Sequence, residues 1–173
     1  MRIAEIRPQV NGLIQRRLFT EGSEVKAGQV LYQIEPAPFQ AALDTARAGL
    51  TRAEASRNAL KAKAERVKEL LTDQAVSQQD YDDADAALKQ VDADIASWKA
   101  QIETARINLG YTKVVAPIAG RIGKSSVTDG ALVTAYQATA LASIRQFDPI
   151  YVDVTQSTSD LLRLRRRVEA GRL

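Results

Sequence analysis

With no cysteine and no histidine among 173 residues, the side chains left to do chemistry are carboxylates, hydroxyls and lysines. That removes thiol nucleophiles, imidazole bases, Ser-His-Asp triads and zinc sites built on Cys or His. The densest chemical cluster is Asp80, Asp82, Asp83 and Asp85, three residues and more after Ser77. Four carboxylates so close could hold a divalent cation. Helical geometry puts only some of them on one face, however, and an acidic first turn is what the helix dipole favours. Ser77-Gln-Gln-Asp80 also has the spacing of a capping box, with hydroxyl and carboxylate each satisfying the other residue's backbone amide. The cluster therefore reads as a helix start, and neither a catalytic nor a metal site is expected.

Charge adds little chemistry. The 24 basic and 21 acidic residues leave a net of +3, a weak pull toward nucleic acid. The basic stretch at 161–168 reads as an amphipathic helix with no aromatic stacking platform beside it, so no nucleic-acid partner is expected. No apolar run approaches the about 20 residues of a spanning helix. Residues 1–7 lack the apolar core of a signal peptide.

Ser77 must be positioned by long helices. Residues 39–109 contain no proline and one glycine, Gly49. Alternating steps of four and three from Phe39 meet Leu43, Ala46, Leu50, Ala53, Arg57, Leu60, Ala64, Val67 and Leu71, apolar at nine of ten positions, Arg57 being the exception. Alternating three and four from Tyr81 meets Ala84, Leu88, Val91, Ile95, Trp98, Ile102, Ala105 and Leu109 without exception. A period of 3.5 sustained this far specifies a coiled-coil seam. The connection of about five residues at 72–76 forces an antiparallel hairpin. Residues 39–71 carry seven basic and four acidic side chains, residues 77–109 three and seven, so the facing flanks attract. At 1.5 Å per residue the rod is about 50 Å long.

The flanks of the rod are two copies of one β-motif, offset by 108 residues. Val10, Gly12, Ile14, Thr20, Glu21, Gly22, Val25 and Gln29 fall on Ile118, Gly120, Ile122, Thr128, Asp129, Gly130, Val133 and Gln137. Each copy reads as strand, glycine turn, strand, acidic-glycine turn, strand, with positive φ expected at both glycines. Neither half can bury its apolar face alone, so the two should close into one small β-sandwich. The fold class is α+β.

Val-Asn-Gly at 10–12, Glu-Gly-Ser-Glu-Val-Lys-Ala-Gly at 21–28 and Ala-Pro-Ile-Ala-Gly-Arg-Ile-Gly at 116–123 resemble the half-motifs of a lipoyl or biotinyl domain split by a helical hairpin. The arrangement is similar to the periplasmic adaptor subunits, or membrane fusion proteins of the HlyD type, of tripartite multidrug efflux pumps. The strings Arg-Ile-Ala-Glu-Ile-Arg-Pro-Gln-Val at 2–10 and Asp-Pro-Ile-Tyr-Val-Asp-Val at 148–154 resemble those adaptors that serve resistance-nodulation-division (RND) transporters.

The resemblance implies four regions: residues 1–38 and 110–146 as the lipoyl-like halves, 39–109 as the hairpin, and 147–173 as the first strand and helix of a β-barrel domain left unfinished. It implies a non-catalytic periplasmic adaptor, anchored to the inner membrane through regions missing from this chain. Its partners would be an inner-membrane RND drug/proton antiporter, an outer-membrane channel and further copies of itself in a ring. An adaptor for an ATP-driven exporter is the alternative. A lipoyl domain carries its modified lysine at the turn between halves. Here Glu35-Pro36-Ala37-Pro38 and the rod stand there, so no cofactor is expected and Lys26 reads as a surface lysine. The third class of function, an enzyme or swinging-arm carrier, would need that lysine. In the family, the hairpin tip engages the channel through an Arg, a Leu four residues on and a Ser seven beyond, a spacing met by Arg66, Leu70 and Ser77. Each also has a plainer reading: Ser77 as an N-cap, Arg66 as a solvated helix residue, Leu70 as a cover for the end of the seam.

Overall fold

A computed structural model describes residues 2–147, 155 and 157–171. In chain order it contains β1 (Arg2–Ile6), β2 (Gly12–Arg17), β3 (Glu24–Val25), β4 (Val30–Ile34), α1 (Ala37–Thr72), α2 (Gln78–Tyr111), β5 (Lys113–Val115), β6 (Gly120–Ile122), β7 (Leu132–Val133), β8 (Ala142–Gln146) and α3 (Thr158–Glu169). Of the region 147–173 expected to hold the first strand and helix of a barrel domain, residues 148–154, 156, 172 and 173 lie outside the described residues. None of the residues of α3 is buried.

The strands form two four-stranded sheets in the orders β1-β8-β6-β3 and β5-β4-β2-β7. Each sheet takes two strands from before the rod and two from after it, so the halves interlock. The repeat extends to individual hydrogen bonds. Gly22 N–H donates to the Ile122 carbonyl at 2.9 Å, and its counterpart Gly130 N–H donates to the Ile14 carbonyl at 2.7 Å. The acidic residue before each turn glycine reaches into the other copy. Glu21 accepts from the Ser125 N–H at 3.1 Å, and Asp129 accepts from the Arg17 N–H at 2.9 Å. Gln29 and Gln137 close matching turns, their side-chain oxygens accepting from the N–H of Lys26 and Thr134 at 3.0 and 3.1 Å.

One expectation about the glycines is corrected. Gly22 and Gly130 have φ of 77° and 84°, as turn residues must. Gly120, which opens strand β6, also has positive φ, 156°, so only Gly12, which opens β2 and is not among the positive-φ residues, departs from the expectation. At both, proximity also excludes a side chain. A Cβ on Gly12 would lie 2.6 Å from Ile34 Cγ2, and one on Gly120 would lie 2.5 Å from the Arg145 carbonyl oxygen.

The core lies between the sheets, with Leu31, Tyr32, Ile34, Val133, Leu141 and Ile144 fully buried. Each such side chain contributes about 1.5–3 kcal/mol on burial. Tyr32 is the polar member. Its hydroxyl lies 2.7 Å from Ser125 Oγ and 3.0 Å from the Leu141 carbonyl oxygen, which joins the first half to the second. Burial pushes its phenol above the usual tyrosine range.

Every seam position of the rod is buried or half-buried, as the 3.5 period requires. Ala53, Val91 and Ile95 are its buried centre, flanked by Leu50, Leu60, Leu88 and Trp98. Arg57, the interruption in the seam, pairs across the rod with the Asp92 carboxylate. Gly49 faces Trp98, and a Cβ there would stand 2.7 Å from the indole ring. The pairs 49 with 98 and 57 with 92 run in opposite directions along the helices, which makes the hairpin antiparallel.

At the base the helices extend two residues past the seam, to Ala37 and Tyr111. At the start, Pro38 falls in the first turn, where a missing N–H costs nothing. At the return, Thr112 caps α2 through its hydroxyl, which donates to the Leu109 carbonyl at 2.7 Å. Its carbonyl accepts from Ile34 N–H at 2.8 Å, and Phe39 packs on the sandwich core. The rod is thus tied to its base by both helices. No helix among the described residues is long and apolar enough to cross a membrane.

Candidate functional site

The far end of the rod is built from two caps. α1 ends in a Schellman turn: Gln74 N–H donates to the Leu71 carbonyl at 3.0 Å and Ala75 N–H to the Leu70 carbonyl at 2.8 Å. The residue carrying the left-handed conformation is Gln74, with φ of 55°. α2 then starts at Ser77 through the capping box that its sequence predicts. Ser77 Oγ accepts from Asp80 N–H at 3.2 Å, and the Asp80 carboxylate accepts from Ser77 N–H at 3.0 Å and from the Ser77 hydroxyl at 2.6 Å. Those hydrogen bonds, the hydroxyl's foremost, hold the Asp80 carboxyl below the usual carboxylate range.

Two of the other acidic residues of this first stretch, Asp82 and Asp85, are taken locally. Gln78 donates to Asp82 at 2.9 Å, and Lys89 lies 2.6 Å from Asp85, whose hydrogen bond and charge raise the lysine above its ordinary value. Among the described residues no group of three or more carboxylates comes together as a metal site.

Arg66 and Leu70 lie one turn apart on the last stretch of α1, hence on one face, and Ser77 opens α2 across the short connection. All three are exposed, Leu70 by 43%. Leu71 beside it is half-buried and closes the seam, which frees Leu70 from that duty. Arg66 forms no ion pair with a described residue. A cation, an apolar side chain and a hydroxyl are thus exposed toward the far end of the rod.

Two residues with positive φ escape sequence reasoning, Gln74 and Tyr136, both at 55°. For Tyr136 the signal was available, since the offset of 108 places it on Gly28, whose φ is 80°. For Gln74 the signal was a short connection without glycine, which leaves some other residue to adopt the left-handed conformation.

A β-sandwich of two interlocked half-motifs with a coiled-coil hairpin inserted between them defines a class of protein. Residues 2–145 match the family described as "RND MFP, barrel-sandwich hybrid domain", and the chain belongs to that family. Over 172 residues it is 55% identical to the multidrug export protein AcrE of Escherichia coli K12, covering 99% of this chain and 45% of that protein. Identity is 56% over 172 residues to the antibiotic efflux pump periplasmic linker protein ArpA of Pseudomonas putida, covering 99% of this chain and 43% of that protein. Among solved structures, a MacA-MexA chimeric protein containing the Pseudomonas aeruginosa MexA α-hairpin domain is 35% identical with a TM-score of 0.54, over 84% of this chain and 48% of that one. The chain spans less than half the length of the curated relatives it matches.

Proposed function

We propose that the protein is a non-catalytic periplasmic adaptor of a tripartite efflux pump, linking an inner-membrane RND transporter to an outer-membrane channel. The observation that carries this reading is the rigid rod of about 50 Å on a compact base, presenting Arg66, Leu70 and Ser77 exposed at its tip. In the proposed mechanism the rod sets the distance and the tip makes the contact, so docking depends on rod length and tip geometry. The matched family's description as an RND membrane fusion protein domain favours service to an RND transporter over an ATP-driven exporter, and the relatives' names, a multidrug export protein and a periplasmic efflux linker, support drug export.

Residues 147–173 open a β-barrel domain in this reading, after the lipoyl-like halves at 1–38 and 110–146 and the hairpin at 39–109. In this reading the full-length protein is anchored to the inner membrane. Several copies assemble into a ring, which multiplies a small contact at each tip.

The test is substitution at the tip of the full-length protein. Arg66→Asp, Leu70→Ser and Ser77→Arg each abolish drug resistance in cells, while the purified Arg66→Asp and Leu70→Ser proteins keep their helicity and melting temperature and Ser77→Arg, which also loses the N-cap, stays folded with a slightly lower one. Full resistance with all three would overturn the docking role.

A further inference from the structure

The residue that turns the chain at the tip is of an unfavourable type. Position 74 has φ of 55° and occupies the place in a Schellman turn that glycine fills at least conformational cost. A side chain is disfavoured in the left-handed region, where its Cβ crowds the following carbonyl oxygen, whereas glycine has none. Among the described residues nothing offsets that preference: the Gln74 side chain is exposed and its amide has no hydrogen-bond partner there. It stands between Leu70, whose carbonyl closes the turn, and Ser77, which opens the next helix. A primary amide presents a donor and an acceptor side by side without charge, the complement of a main-chain peptide group.

We propose that Gln74 is a fourth docking contact of the hairpin tip, its side-chain amide hydrogen-bonding exposed main-chain N–H and C=O groups at the rim of the outer-membrane channel. This rests on the reading of the tip as the channel-docking site. The side chain is kept at a position where glycine would fold better because the contact uses it.

The experiment compares Gln74→Gly, Gln74→Glu and Arg66→Asp in the full-length protein. It measures affinity for the purified channel with which the protein confers drug resistance, alongside the melting temperature of each variant. Gln74→Gly is expected to melt no lower than the parent and to bind the channel about tenfold more weakly, the worth of one or two hydrogen bonds. Gln74→Glu keeps the length but loses the donor, and is expected to weaken binding as well. Parental affinity in Gln74→Gly, with binding lost in Arg66→Asp, overturns the role of Gln74 and leaves the docking tip standing. Parental affinity in both overturns the docking tip itself. A lower melting temperature in Gln74→Gly refutes the conformational premise. Tighter binding by Gln74→Glu shows a basic side chain as the partner and overturns the main-chain assignment.

Discussion

Ser77 is held by Asp80 through three hydrogen bonds, so a substitution there acts on the helix start as well as on any partner. The two effects separate. Ser77→Asn keeps an N-capping side chain and should hold the helix, whereas Ser77→Ala should cost about 1 kcal/mol of stability. If Ser77 touches the channel, both weaken docking and only the alanine lowers the melting temperature. The cap also carries a pH signature. Because the folded state depresses the Asp80 carboxyl, the cap's contribution is complete above the ordinary carboxylate range and is lost as pH falls through the depressed value. An NMR titration should find the Asp80 midpoint rising toward the ordinary range in Ser77→Ala, while an unchanged midpoint would contradict the assigned cause. At this scale the spacing Ser77-x-x-Asp80 was legible in advance because capping is local. Gln74 was not, since turn geometry follows from how the two helices meet.

Within the rod, Gly49 shows packing prevailing over propensity. Alanine is the better helix former by about 1 kcal/mol, yet at position 49 its Cβ would meet the Trp98 ring at 2.7 Å. Overpacking costs about 1–3 kcal/mol. Gly49→Ala should therefore lower the melting temperature measured by circular dichroism, and the same change in a Trp98→Leu background should not. Arg57 and Asp92 retain side-chain exposures of 42% and 46%, so a double-mutant cycle should find less than about 1 kcal/mol between them. The seam was readable because its period depends only on helical geometry. That Arg57 meets Asp92, and that the lone glycine lies under the lone tryptophan, depends on the register between the helices.

In the molecule as a whole, the β-module owes its integrity to exchange between its halves. Removing Glu21 leaves the Ser125 N–H without an acceptor, and Ser125 is only 8% exposed, whereas Asp129 serves Arg17 at an exposed position. Glu21→Ala should thus cost about 1–2 kcal/mol, more than Asp129→Ala, as denaturant melts would show. The rod itself enters as an enlarged hairpin loop. Gln33 pairs with Lys113 across β4 and β5, so an Asn-Gly turn in place of residues 36–111 should leave a folded β-module that cannot dock. The offset of 108 residues was visible in the sequence, down to the acidic-glycine turns. The interlocking was not, because a repeat does not say whether its copies pair within themselves or with each other.

The central claim is that the tip of this rod meets an outer-membrane channel. Residues 1–173 contain no cysteine, so a single introduced one is the only thiol of the rod and its base. Full-length proteins carrying Asp73→Cys at the tip or Glu54→Cys along the rod are tested in cells for disulfide cross-linking to cysteines at the rim of the channel. Docking through the tip predicts a cross-link from position 73 and none from position 54, with drug resistance retained in both. Equal cross-linking from the two positions, or none from position 73 while resistance is intact, would contradict it.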